Sequence, residues 1–458
     1  MEFRYKRSLF IFRRDLRLDD NTGLLNALGN SEFVIPCFIF DPRQCTQKNK
    51  YRSMNAIQFM LESLDGLEKQ LKSKKGKLYR FYGLSEDVVE KLLERENINA
   101  VFVNRDYTPF SIKRDKEIAA HCYKHNTEFV VDNDLLLTQP DEVKTMNGTS
   151  YKIFTPFYRR ASTIEVNKPV PLKNGKFYTK AISGVSKNIF EELFNYNNKH
   201  IHVHGGRENG LNILNNINEF KEYTKTRDFP EKSTTNLSAY LKFGCVSVRE
   251  AYYAIIKKLG QKHPLARQLY WRDFFTHVAY NSPFVFGHPY HEKFEKLKWS
   301  LSKKMFDAWR HGRTGFPIVD AGMRQLNETG FMHNRVRMIV GSFLVKDLHI
   351  NWLRGEKYFA QQLVDYDPSV NNGNWQWVAS TGTDSQPYFR IFNPWLQQKK
   401  FDPQCSYIKK WVPELKDLKP KEIHTLYKPG SRVKGYPAPI VDHSKEARVA
   451  KELYKQVG

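Results

Sequence analysis

FVIPCFIF, residues Phe33–Phe40, is apolar along its whole length. Such a run suits a strand covered on both faces, as in a parallel sheet, better than a strand with one wet face. Four further β-rich runs flank it: SLFIF (8–12), LYRFYG (78–83), AVFVN (100–104) and EFVVD (128–132). Stretches with helical spacing separate them, among them MNAIQFMLESLDGLEKQLKS (54–73). This alternation predicts a Rossmann-like parallel α/β domain over residues 1–136. No G-x-G-x-x-G follows the first strand and no Walker loop occurs in the chain, so a nucleotide cofactor is expected to bind elsewhere.

Residues 137–200 loosen into a basic connector containing Pro and Asn. From 201 to 458 the pattern changes to long 3.6-residue periods, as in NGLNILNNINEFKEY, ARQLYWRDFFTHVAY, FMHNRVRMIVGSFLVKDL and EKYFAQQLVDY, and predicts a mostly helical domain. The fold class expected is thus α/β plus all-α. With 458 residues the chain exceeds what one core supports, and about two or three domains are expected. All eight tryptophans lie at position 271 or later. Ordinary core packing accounts for any one of them, but their absence from the first 270 residues favours a specialised aromatic task in the helical part.

Lys and Arg number 73 against 49 Asp and Glu, a formal net charge of +24. That excess suits a polyanionic partner such as nucleic acid, or a lysine-rich solvated surface. No run approaches the roughly 18 apolar residues of a membrane span. The opening MEFRYKRSLFIF is basic and then apolar, but RRDLRLDDN follows with no small-residue cleavage site, so a cytoplasmic protein is expected. Five scattered cysteines, odd in number and without C-x-x-C, fit neither a disulfide framework nor zinc.

The chemistry concentrates in VDYDPSVNNGNWQW, Val364–Trp377, which holds Asp365, Asp367, Asn371, Asn372, Trp375 and Trp377. Upstream, GFMHNRVRMIVGSFLVKDL (330–348) read as a helix puts Asn334, Arg337, Met338 and Gly341 on one face. Arg337, among apolar neighbours, needs an anion, for which Asp365 or Asp367 is available. The cluster is a structural ion pair or a grip on a polar heterocycle. On a second helix Gln268, Trp271, Arg272 and Phe275 occupy neighbouring positions, suited to stacking a flat ligand or to helix packing. KSTTNLSAYL (232–241) sets Thr234, Thr235 and Ser238 at a helix start, as an anion site or as plain caps. HIHVHGG puts His200, His202 and His204 on one face of a strand; without a fourth ligand nearby, no metal is expected.

Together these pieces resemble the photolyase/cryptochrome family, most closely the class I cyclobutane pyrimidine dimer photolyases. The resemblance runs through FRRDLRLDDN (12–21), YKIFTPFYR (151–159), RDFPEKSTTNLSAYLKFG (227–244), GRTGFPIVDAGMRQLNETGFMHNRVRM (312–338), NNGNWQWVASTGTDSQPYFRIFNP (371–394) and YPAPIVDHS (436–444). It implies a folded-over, reduced FAD in the helical domain, with Tyr223 and the segment Thr234, Thr235, Asn236, Leu237 and Ser238 at its phosphates. It places Arg272 at the cofactor, pairs Arg337 with Asp365 beside the flavin ring with Asn334 and Asp367 completing the polar rim, and sets Asn371 at the central nitrogen of the flavin. Trp375, Trp352 and Trp299 match the tryptophan chain that photoreduces the flavin. Gln268, Trp271, Met338 and Trp377 match the pocket for a dimer extruded from the duplex. Arg227, Arg335 and Arg390, with Lys399 and Lys400, would meet backbone phosphates. The activity implied is light-driven electron donation to the dimer, which splits and returns the electron, in a monomeric cytoplasmic enzyme acting on DNA.

Departures remain. Gln268 stands where bacterial members carry glutamate, Asn236 replaces a common arginine and Phe331 a common tryptophan. DYTPFS (106–111) and VFGH (285–288) lack the usual folate-antenna ligands, which leaves deazaflavin, folate, another flavin or no second chromophore. The rivals are a cryptochrome, which often carries a long C-terminal extension, and a (6-4) photolyase, which is histidine-rich where this chain reads FMHNRVRM.

Overall fold

The protein is described by a computed structural model over residues 3–182 and 195–457. Its sheet has five parallel strands in the order β3-β2-β1-β4-β5: β1 Tyr5–Phe12, β2 Ser31–Phe40, β3 Tyr79–Tyr82, β4 Ala100–Asn104 and β5 Glu128–Asp132. FVIPCFIF lies in β2, an interior strand, as its unbroken apolar character requires. Pro36 there stands opposite Phe10 and gives up one ladder donor. β4 is buried throughout, whereas the edge strand β5 is only partly covered.

Three helices of this part start at side-chain caps. Asn21 accepts from Leu24 N ahead of Thr22–Asn30, Ser53 from Ala56 N ahead of Met54–Ser73, and Thr108 from Ser111 N ahead of Pro109–Lys124. Leu9, Ile11, Ile35, Val101 and Val103 form the core on one face of the sheet, with residues of the helices Ser85–Arg95 and Pro109–Lys124, each worth roughly 1.5–3 kcal/mol of burial.

The chain forms two compact units. One comprises residues 1–198, 203–221 and 237–283, and so includes the helices Val248–Leu259 and Pro264–Asn281. Its polar centre is a closed ion cluster. Arg17 Nη2 lies 2.7 Å from both Asp134 oxygens, and Arg249 reaches Asp134 at 2.7 Å and Asp20 at 2.9 Å. Burial works against the Asp134 charge, but Arg17 and Arg249 outweigh it and hold its pKa at about 2.

The other unit comprises residues 199–202, 222–236 and 284–458. Its core gathers Trp309, Phe343, Trp352, Phe359 and Trp375. The helix Asn334–Ser342 does not continue to 348 as its periodicity suggested; Phe343–Asp347 is a wider π-helical turn. Lys346 in that turn is fully buried, its Nζ 3.3 Å from the centre of the Tyr454 ring and 3.2 Å from Ser380 Oγ. Burial drives its pKa well below the usual lysine value. Tyr454 belongs to the helix His443–Lys455, which is also tied by Tyr454 Oη to Ala379 O and by His443 Nδ1 to Asp347, each at 2.5 Å. All five cysteines are free and buried. Among the described residues no helix is long and apolar enough to cross a membrane.

Candidate functional site

Arg337 is the pivot of the helical unit's polar cluster. Its helix starts at His333, whose Nδ1 accepts from Arg335 N at 3.2 Å. Its Nε donates to Met332 O at 2.8 Å, and its Nη2 lies 3.0 and 3.2 Å from the Asp365 oxygens. Of the two candidate acids, Asp365 is the partner. Asp367 serves as cap of the helix Pro368–Ala379, accepting from Val370 N at 3.1 Å. The Asp365 side chain is 5% exposed and that of Arg337 24%, so the pair is enclosed on one side only.

One turn along that helix, Asn371 Nδ2 donates to Glu356 O at 3.1 Å, which leaves the amide oxygen as the end available to a ligand. Burial pushes the Glu356 carboxyl up to about 7, against the opposing pull of its bond from Asn372. Trp375 is buried edge-on to Phe359, with ring centres 4.9 Å apart, and packs so closely on Gly355 that a Cβ there would land on its ring. Trp352 lies buried in the same core, and Trp299 packs half-buried against it. Trp377 and Met338 are half-buried, and Asn334 is exposed.

A cleft of about 270 Å³ opens in the same unit. Ser233, Thr234 and Asn236 supply hydroxyls and an amide to its wall, Lys232 and Lys410 supply cations, and Phe331 and Trp411 supply rings. His333 also lines it. Burial, and then Arg337, push the His333 pKa down to about 4, so the ring is neutral near pH 7. Because Nδ1 accepts from Arg335 N, Nε2 carries the hydrogen, and this buried donor has no partner among the described residues. Hydroxyls, cations and an unpaired donor fit the phosphate end of a dinucleotide, and the chemistry of this wall suits FAD. Tyr223 is half-buried in the same unit, and burial raises its pKa.

Several expected residues belong to the α/β unit. Leu237 and Ser238 begin the short helix Leu237–Lys242. Gln268 donates to Pro264 O at 3.3 Å, and Arg272 donates to Leu135 O at 2.7 Å. Trp271 stacks on Phe154 with ring centres 3.6 Å apart and planes 7° apart. Phe154 stands in the quoted YKIFTPFYR, but nothing in the local pattern pairs it with a residue so distant. In the helical unit Arg227, Arg390, Lys399 and Lys400 are exposed, whereas Arg335 is held by Asp228 at 2.8 Å and lies over the Phe401 ring.

The three histidines of HIHVHGG do not share a strand face. Residues 199–206 are irregular, and each imidazole goes to a different partner: His200 to Glu328, His202 to Asn236 and His204 to Glu62. With no neighbouring strand to pair, alternation of residue types has no face to define.

Residues 8–174 match the family model described as DNA photolyase, and residues 265–456 match that of the FAD binding domain of DNA photolyase. A deoxyribodipyrimidine photo-lyase from Alkalihalophilus pseudofirmus is 36% identical over 468 residues, covering 97% of each chain. The crystal structure of an archaeal photolyase from Sulfolobus tokodaii with two FAD molecules superposes with a TM-score of 0.90 at 44% identity, covering 98% of this chain and 100% of its own. A cryptochrome from Synechocystis sp. superposes at 0.89 with 27% identity, over 99% of this chain and 100% of its own.

Proposed function

The chain belongs to the DNA photolyase family, and from that premise we propose that it splits cyclobutane pyrimidine dimers in DNA with light. The observation that carries this reading is the one-sided polar cluster around Arg337, Asp365 and Asn371, beside a core rich in indoles. Bound reduced FAD supplies the electron donor that light excites. The chain's residues hold and tune that donor. Arg337 keeps a fixed cation at the cluster, and Asp365 neutralises part of it, so the ring region stays near charge balance. Asn371, tethered through Nδ2, presents a neutral oxygen that takes no proton, which suits a reduced, anionic ring. Trp375, Trp352 and Trp299 form the path by which the cofactor is recharged from the surface.

Trp377 and Met338 form part of the lesion pocket. Arg227, Arg390, Lys399 and Lys400 meet the phosphates of duplex DNA, and their exposure leaves them available to it. The enzyme acts in the cytoplasm as a monomer. The S. tokodaii photolyase holds two FAD molecules, which favours a flavin as this chain's second chromophore.

The test is illumination of the reduced protein with an oligonucleotide carrying one thymine cyclobutane dimer. Light-dependent recovery of thymine absorbance, lost in Trp377→Ala, is expected. A protein that binds and photoreduces FAD but restores no thymine would instead be a photoreceptor of the cryptochrome kind. Activity on a (6-4) lesion alone would assign the chain to the other repair class.

A further inference from the structure

We propose that His202 is a cation of the FAD phosphate site, one that acquires its charge only when the phosphates arrive, so that cofactor binding takes up a proton. The inference rests on the assignment of FAD to the cleft made above.

The cleft has a shortage of charge. Ser233, Thr234 and Asn236 offer only neutral donors, and of the two lysines in the wall, Lys232 has Glu231 beside it. A diphosphate brings two negative charges to that wall, and hydrogen bonds to an ionised donor are about twice as strong as neutral ones. His202 is positioned to supply the missing charge. Its backbone N donates to Thr329 O at 3.0 Å, and its ring stacks on Phe331 with centres 4.1 Å apart and planes 7° apart. Its Nε2 lies 3.3 Å from Asn236 Oδ1. A ring that donates from Nε2 has its lone pair at Nδ1 when neutral and a second N–H there when charged.

Two of the departures noted in the sequence meet at this side chain. Asn236 and Phe331 both touch its ring, and they stand where an arginine and a tryptophan are common. Asn236 has a left-handed backbone, with φ of +54°, a conformation asparagine tolerates better than most residues. An amide at that point cannot carry charge, but it anchors an imidazole that can.

The groups facing His202 set its neutral resting state. Loss of water around the stacked ring lowers its pKa below the usual histidine value; the bond to Asn236 and the Asp365 carboxylate oppose this, while Lys410 and Arg337 add to it. His333, Tyr407, Glu231 and Lys232 also line the cleft as titratable groups. His333 is the wrong group for the task, because its Nδ1 is already an acceptor for Arg335 N. The diphosphate, with one negative charge on each phosphate, reverses the balance at His202. Affinity then rises as pH falls through the pKa of the bound state, and levels off below that of the free state.

The test measures FAD binding to apoprotein by flavin fluorescence at about pH 6 and about pH 8.5, on either side of the histidine range, with calorimetry in two buffers to count protons. Wild type is expected to bind roughly tenfold more tightly at the lower pH, the factor that one unit of pKa shift produces. It should also take up protons near neutrality. His202→Gln should bind weakly at both values with the slope gone, and His202→Lys should bind tightly at both, also without slope. His200→Gln should behave as wild type. Persistence of the slope and of proton uptake in His202→Gln would overturn the proposal, as would a wild type that binds FAD with no slope. Failure of the wild type to bind FAD at all would overturn the cofactor assignment itself. Circular dichroism of each variant separates loss of binding from loss of fold.

Discussion

Arg17 and Arg337 are both arginines held by aspartates, one in each unit, and they differ in what is left open. The Arg17 side chain is 1% exposed and its Asp134 partner 2%, with Arg249 closing the cluster from another side. That arrangement has no room for a ligand, and its worth is structural. Arg337 keeps 24% of its side chain exposed although Asp365 is almost buried. An ion pair finished on every side holds a fold together, whereas one left open on one side can receive a guest.

The largest effect expected from this contrast comes from Asp134→Ala. It takes the carboxylate from the buried Arg17 and leaves Arg249 with Asp20 alone, and should cost about 3–5 kcal/mol of unfolding free energy, read by denaturant melts of the apoprotein. The folded pKa of Asp134, about 2, lies below the unfolded value of about 3.9, so its stabilisation is present above pH 4 and is lost as pH falls toward 2. A wild type equally stable across that range would show the cluster to be inert.

Gly355→Ala should come next. The added methyl meets Trp375, and overpacking of this kind costs roughly 1–3 kcal/mol. Its signature is a shifted Trp375 environment in near-ultraviolet dichroism together with slower flavin photoreduction. Unchanged spectra would mean that the indole moves aside freely. The smallest effect on the fold is expected from Arg337→Lys. The substitution keeps a charge but loses the fork, so FAD affinity should drop by about tenfold while the melting transition barely moves. A large fall in stability instead would place Arg337 in the same class as Arg17.

The sheet was legible because its signal is local. AVFVN and EFVVD coincide with β4 and β5, and the helix Met54–Ser73 has the bounds its periodicity suggested, since apolar strands and capped helices declare themselves within a few residues. The π turn at Phe343–Asp347 was not legible, because it changes the winding without changing the residue types. Spacing narrowed the partner of Arg337 to two acids but could not choose between them; the choice depends on Asp367 capping its own helix. The stacking of Trp271 on Phe154 and of His202 on Phe331 joins residues far apart in sequence, for which no period exists.

The docking of His443–Lys455 over Lys346 also sets an order in time. That helix follows every other element of its unit in the sequence. During synthesis at about 5–20 residues per second, the turn that carries Lys346 leaves the ribosome seconds before Tyr454 does. Until the ring arrives, the amine lacks the cover that buries it. Completion of the helical unit is therefore a late event that waits for a tyrosine.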